Sequence, residues 1–274
     1  MPPPTPRGPR MLALPLTAPP FDPGSVWLVG AGPGDPGLLT LHALRALTEA
    51  DVILFDALVS DDILSLACKA RLEPSGKRAG GSRTPQPRIN QRLIMHAREG
   101  LRVVRLKGGD PLMFGRGGEE ALALAAAGIP FRIVPGISAG LGGTAAVGIP
   151  LTHRGLARSV TFATGHDSTG GIPAVGTGDV LVLFMAGQRL AEVAAHLLKA
   201  GRDPAQAVAL IQNATRTEQN VRVTTLAKAA HLKVSTAPTL IVIGPVVALR
   251  AQLTAWQQTA PMTLNREQKT RAAA

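Results

Sequence analysis

A single cysteine, Cys68, is present, which excludes an intrachain disulfide and a thiolate-built metal cluster. That usage fits a reducing, cytoplasmic setting. Tyrosine is absent and aromatic residues make up 3% of the chain, so the stacking platforms that single-stranded nucleic acid needs are scarce. Long apolar runs are missing too. Val180 to Ala186 and Thr239 to Val247 fall well short of the roughly 18 residues that would suggest a membrane span. Met11 to Leu16 is too short and too closely flanked by proline to read as a signal peptide. Neither a nucleic-acid nor a membrane partner is expected. His153 and His166 have no carboxylate or thiol ligands near them in sequence, so no metal is expected either.

What is abundant is positive charge. The net charge is +11, of which residues 1–24 carry +1 and residues 259–274 carry +2, leaving +8 on the body between them. The excess is therefore not a property of the tails, and it suits a polyanion or a small polycarboxylate. The first 24 residues hold nine prolines and read as a disordered extension. The segment 251–274 ends in a polar, basic tail.

Runs rich in Val, Ile and Leu recur at Val26 to Val29, Val52 to Phe55, Arg102 to Leu106 and Phe131 to Val134, with helical patterns between them. That alternation predicts an α/β domain, residues 25–148, around a largely parallel sheet. A second series follows at Ser159 to Thr164, Val180 to Met185, Ala207 to Ile211 and Thr239 to Ile243, and predicts another α/β domain, residues 149–250. Pro150 in Gly-Ile-Pro-Leu-Thr-His-Arg breaks the helical pattern at the junction. Ligands of such folds bind beyond the carboxyl ends of strands and in domain clefts, so the loops after each strand are the places to look.

The first such loop, Gly30 to Thr40, places Gly32, Gly34 and Gly37 in the GxGxxG spacing of dinucleotide-binding folds, with Asp56 roughly 20 residues on. An NAD-dependent oxidoreductase is the rival reading from a different class. Against it, Pro33 and Pro36 remove two of the N–H donors that pyrophosphate would need, and Asp35 with Pro36 reads as a helix cap and first helical residue. In the loop after the third strand, Lys107-Gly108-Gly109-Asp110, paired glycines let a ligand approach the backbone and Asp110 offers an acceptor. Arg116 and Glu119 lie three apart where a helix over Gly118 to Ala127 begins, and Glu120 suits the positive end of that helix.

Seven segments stand in order: Gly-Ala-Gly-Pro-Gly-Asp-Pro-Gly-Leu-Leu-Thr, Phe-Asp-Ala-Leu-Val-Ser, Gly-Lys-Arg-Ala-Gly, Arg-Leu-Lys-Gly-Gly-Asp-Pro, Phe-Gly-Arg-Gly-Gly-Glu-Glu, Val-Pro-Gly-Ile-Ser and Gly-Ile-Pro-Leu-Thr-His-Arg. Together they resemble the uroporphyrinogen-III C-methyltransferases over Val26 to about Val247. The resemblance implies the tetrapyrrole methylase fold of class III methyltransferases, two α/β domains with cofactor and substrate in the cleft between them, usually as a homodimer. It implies S-adenosyl-L-methionine as methyl donor, S-adenosyl-L-homocysteine as its product, and uroporphyrinogen III as substrate. A later precorrin methyltransferase of the same superfamily is the nearest alternative.

By motif matching, the resemblance implies cofactor contacts at Pro33, Gly108, Gly109, Asp110, Met113, Ser138, Ala139, Met185 and Ala214. It points to Asp56 as a proton acceptor and Lys77 as a proton donor. Arg116 and Glu119 match positions that hold or act on the tetrapyrrole, with Arg116 the second candidate base, and Arg78 and Arg154 match substrate-binding positions. The chain departs from the pattern at Phe55, where tyrosine is common, Ser138 for threonine, Ala214 for glycine, and Ser82 for a loop histidine.

Overall fold

The computed structural model describes residues 19–75, 84–165 and 178–259. They build two five-stranded sheets. The first contains β1 (Val26–Gly30), β2 (Val52–Phe55), β3 (Arg71–Pro74), β4 (Val103–Lys107) and β5 (Phe131–Val134), all parallel, in the order β3-β2-β4-β1-β5. Four helices cover it: α1 (Leu41–Glu49), α2 (Asp61–Leu64), α3 (Gln86–Arg98) and α4 (Gly117–Ala126).

Side chains alternate across a strand, so each strand serves both faces of the sheet. Trp27, Val29, Ile53, Val104 and Leu106 pack with Ala43, Ala46 and Leu47 of α1 and Ile63 and Leu64 of α2. Val26, Leu28, Val52, Leu54 and Val103 pack with Ile89, Leu93 and Ala97 of α3 and Ala121 and Leu124 of α4. Helix α1 forms because Thr40 caps it, its Oγ1 accepting from the Ala43 N–H at 3.1 Å, and because Ala43, Ala46 and Leu47 place one apolar stripe on the sheet. Burying a leucine such as Leu47 contributes about 1.5–3 kcal/mol.

The second sheet holds β6 (Val160–Thr164), β7 (Val180–Phe184), β8 (Ala207–Gln212), β9 (Asn220–Thr225) and β10 (Thr239–Ile243), in the order β6-β7-β10-β8-β9. Here only β6 and β7 run parallel; the other three pairings are antiparallel. One face packs on α6 (Leu190–Lys199) and α7 (Leu226–Ala229), through Leu190, Val193, Ala194, Leu197, Leu226 and Ala229. A further helix, α5 (Ala139–Ala146), follows β5, and α8 (Arg250–Thr259) ends the described chain.

Two strands, β3 and β9, lie outside the apolar runs of the sequence. Both are edge strands, largely exposed, so no hydrophobic alternation marks them. Residues 1–18 of the extension expected to be disordered over 1–24 lie outside the described residues, but its end packs against the first sheet. Phe21 is buried and stacks on Trp27 at 4.4 Å between centroids, and its carbonyl accepts from Arg102 Nε at 3.0 Å; an apolar ring with a core partner outweighs the proline-rich context. Among the described residues no helix is long and apolar enough to cross a membrane.

Candidate functional site

In the first sheet the chain leaves β1 toward β2 and leaves β4 toward β5, on opposite sides of the adjacent β1–β4 pair. Such a switch point opens a crevice at the carboxyl ends of the strands. Four glycines, Gly30, Gly32, Gly109 and Gly136, meet there. The loops after β1 and β4 exchange backbone hydrogen bonds, Gly109 N to Gly32 O at 2.7 Å and Gly32 N to Gly109 O at 3.1 Å. A Cβ on Gly30 would stand 2.6 Å from Gly109 O, and one on Gly136 2.2 Å from the same oxygen, so no other residue fits either position without moving backbone.

Asp110 fastens this junction. Its Oδ1 accepts from Leu112 N at 2.8 Å and its Oδ2 from Gly136 N at 3.1 Å, tying the β4 loop to the β5 loop. Ser138, buried, caps α5 by accepting from Gly140 N at 3.3 Å. Ala139 is the first residue of that helix. Pro33 lies against the same helix, since a Cβ on Gly142 would stand 3.1 Å from Pro33 Cγ.

Helix α5 carries the site across to the second lobe. Gly140 abuts Phe162 and Phe184, and Gly143 abuts Ala214, whose Cβ would lie 2.8 Å from a Cβ at 143. Ala214 therefore fits because residue 143 is glycine. Asp35 N donates to Thr215 Oγ1 at 3.1 Å, and Arg216 Nη2 donates to Leu58 O. Among the described residues, every non-glycine residue with positive φ lies in these loops: Phe114 at 54°, Arg116 at 61°, Met185 at 55°, Asn213 at 48° and Thr215 at 66°. Such strain concentrates where a site over-determines its backbone. Phe114 packs on Phe184 at 5.1 Å between centroids, and Leu58, Leu112, Phe114 and Met185 leave an exposed apolar rim.

The charged groups separate into two sets. At the rim, Arg116 Nε and Nη2 donate to the two carboxylate oxygens of Glu119 at 2.8 and 2.7 Å, with both side chains more than half exposed. Hydrogen bonding to Glu119 pushes the Arg116 pKa up, and the reciprocal bond holds Glu119 below the usual carboxylate range. Arg154 is exposed and has no ion-pair partner among the described residues. Lys77 and Arg78, with Ser82 and His166, lie outside the described residues.

Beneath the rim, Asp56 meets a buried cluster that the sequence reading missed. Arg105 Nη2 donates to Asp56 Oδ1, and Ser75 Oγ donates to it at 3.0 Å. Lys107 Nζ lies 3.6 Å from Asp56 Oδ2. Glu120 Oε1 accepts from Arg105 Nε at 2.9 Å, Lys107 Nζ at 3.2 Å and Gln86 Nε2 at 2.8 Å. Arg105, Lys107 and Glu120 are 2%, 3% and 0% exposed at the side chain, whereas Asp56 is 33% exposed. Burial by itself raises the Asp56 carboxyl, but the charges of Arg105 and Lys107 and the bonds from Arg105 and Ser75 outweigh it and hold Asp56 below its ordinary value. Burial, with Arg105 beside it, pushes the Lys107 pKa down. The clue in the sequence was two cations at alternate positions of an apolar strand, which must share one buried face and demand counter-charges. Glu120, expected to serve the helix terminus, is one of those counter-charges.

With this geometry in place, the tetrapyrrole (corrin/porphyrin) methylase family matches residues 25–230. The chain belongs to the tetrapyrrole methylases. A uroporphyrinogen-III C-methyltransferase of Sinorhizobium sp is 52% identical over 247 residues, covering 86% of this chain and 88% of its relative. Siroheme synthase 2 of Aeromonas hydrophila is 50% identical, but this tetrapyrrole methylase spans about half of it, 51%. Among solved structures, uroporphyrin-III C-methyl transferase from Thermus thermophilus, complexed with S-adenyl homocysteine, superposes with a TM-score of 0.74 at 40% identity, over 82% of this chain and 99% of that one. The expected two-domain α/β fold of a tetrapyrrole methylase is thereby found. Among the described residues no group of three or more His, Cys, Asp or Glu side chains could hold a metal.

Proposed function

We propose that this tetrapyrrole methylase transfers methyl groups from S-adenosyl-L-methionine to C-2 and C-7 of uroporphyrinogen III, giving precorrin-2. The observation that carries the reading is the glycine-crowded strand mouth at Gly30, Gly109 and Gly136, against which the start of α5 packs at Ser138 and Ala139. The donor-side residues are Pro33, Gly108, Gly109, Asp110, Met113, Ser138, Ala139, Met185 and Ala214. All but Ala139, the first residue of α5, belong to the loops after β1, β4, β5, β7 and β8, and Gly108, Gly109, Ser138, Ala139 and Ala214 offer backbone and small side chains where bulk would block a ligand. The domains run over 25–148 and 149–250.

The bound donor supplies an electrophilic sulfonium methyl, so the protein's task is alignment and exclusion of water. The apolar rim of Leu58, Leu112, Phe114 and Met185 offers a face for the macrocycle. Its eight carboxylates meet Arg116 and Arg154, with Arg78, where the guanidinium fork pairs with carboxylate two bonds at a time. Arg116, already paired with Glu119 and with its pKa raised, is suited to holding an anion and poorly suited to losing a proton. Asp56, ionised throughout the neutral range, is the acceptor for the proton released after methyl transfer, with Lys77 as donor. The enzyme works in the cytoplasm as a homodimer.

Anaerobic incubation with uroporphyrinogen III and methyl-labelled donor tests the reading: the product gains two labelled methyl groups by mass. Arg116→Ala is expected to abolish turnover while S-adenosyl-L-homocysteine still binds; wild-type turnover in that variant overturns the substrate-side assignment. Titration with NAD alongside the donor separates the oxidoreductase reading, which requires saturable NAD binding.

A further inference from the structure

We propose that Arg105, Lys107 and Glu120 are positioning residues for methyl transfer, a buried set of charges that holds Asp56 ionised and aimed into the cleft. The inference rests on the reading of Asp56 as proton acceptor. Strand β4 is central in a parallel sheet covered on both faces, a place where apolar residues normally run without interruption. This strand instead turns Arg105 and Lys107 to the same face as Val103, toward α3 and α4. Ions so placed are costly to desolvate, and apolar residues of like volume are commonly as stable or more so. Their presence therefore calls for a use other than stability.

The geometry supplies one. Each cation touches both carboxylates: Arg105 bridges Asp56 and Glu120 through different nitrogens of its fork, and Lys107 lies 3.6 Å from Asp56 and 3.2 Å from Glu120. Two positive and two negative charges balance. Of the four, only Asp56 is partly open to solvent; Glu120 is fully buried. Among the described residues the charged groups facing Asp56 are Arg105 and Lys107 from β4, with Glu120 of α4 behind them, and the Ser75 hydroxyl just past β3 donates to it as well. Glu120 fixes where the two cations sit, and the cations fix the charge and direction of Asp56. Lys107 is also the residue before Gly108, so the same strand end sets both the acceptor and the glycine loop.

Lys107→Met keeps the stem and removes the charge. We expect kcat on uroporphyrinogen III to fall at least about tenfold, KM and S-adenosyl-L-homocysteine affinity to stay near wild type, and the acid limb of the kcat profile to move to higher pH. Lys107→Arg should restore much of kcat. A purely structural role predicts a lower melting temperature with kcat and acid limb unchanged in the folded enzyme, and that result overturns the proposal. If Lys107→Met does not fold, Glu120→Gln, of equal shape, is read in the same way: a several-fold loss of kcat at unchanged donor affinity supports the proposal, and wild-type kcat overturns it. Carbon NMR titration of the Asp56 carboxyl in wild type and Lys107→Met needs no substrate. It decides the positioning claim even if the wild-type chain fails to methylate uroporphyrinogen III: an upward shift in the variant supports it, and an unmoved titration sinks it.

Discussion

Gly136→Ala adds one methyl group at the most crowded point of the strand mouth. Its Cβ would stand 2.2 Å from Gly109 O, 2.7 Å from Gly30 Cα and 2.8 Å from Gly30 C, all backbone atoms. Bringing the first of these to an ordinary 3.4 Å contact requires a displacement of about 1.2 Å. No rotamer can absorb it, because none of the three atoms belongs to a side chain. Overpacking of this kind costs about 1–3 kcal/mol. The movement also strains the Gly109–Gly32 pair and the bond from Gly136 N to Asp110, each worth about 0.5–1.5 kcal/mol. For a chain of this size we expect the melting temperature to fall by roughly 2–4 °C per kcal/mol. Affinity for S-adenosyl-L-homocysteine, read by calorimetry, should drop at least about tenfold, equivalent to 1.4 kcal/mol. Gly118→Ala is the matched control: an added Cβ there meets nothing within 4 Å, and a helical Gly→Ala change stabilises by up to about 1 kcal/mol. Wild-type melting and cofactor affinity in Gly136→Ala would refute the claim that contact between these backbones shapes the site.

Gly143→Ala should destabilise, since its methyl would meet the Ala214 methyl at 2.8 Å; Ala214→Gly in the same chain should recover most of the loss, and additive effects in the double-mutant cycle would show that the two do not touch. Asp56 has a folded pKa below its unfolded one, so its contribution to stability is complete above the ordinary carboxylate value of about 4 and disappears as the pH falls through the folded value. Denaturation followed from pH 7 into acid should accordingly fall less steeply in Asp56→Asn than in wild type. Arg216→Ala removes the bond to Leu58 O that joins the lobes; hydrogen exchange in the 213–219 turn should quicken by an amount matching about 0.5–1.5 kcal/mol, and unchanged protection would deny that bond a role in closing the cleft.

The first sheet was legible because Val26 to Val29, Val52 to Phe55 and Phe131 to Val134 are apolar runs separated by helical stripes, the pattern that parallel strands covered on both sides must have. Strand direction in the second lobe was not. Val180 to Met185 and Thr239 to Ile243 look alike in sequence, yet β10 runs against β7, because direction is set by where the connections return and not by side-chain character. The polar edges β3 and β9 bury too little to leave a signature. At the site, glycines and caps spoke plainly: Asp35 does cap the turn Pro36–Leu38, accepting from Gly37 N at 2.7 Å. Arg105, Lys107 and Glu120 stayed hidden because pairing partners 13 and 15 residues apart on a strand and a helix meet only when the helix folds back over the strand.

Helix α5 follows β5 in the chain but seats Gly140 and Gly143 on the rings and methyl group of the other lobe, while Gly136 is pinned to the first sheet by Asp110. Three residues, Ile137, Ser138 and Ala139, separate Gly136 from Gly140. Any breathing of one half of the molecule against the other must bend that short link, so the joint of the machine runs directly under the seat proposed for the methyl donor.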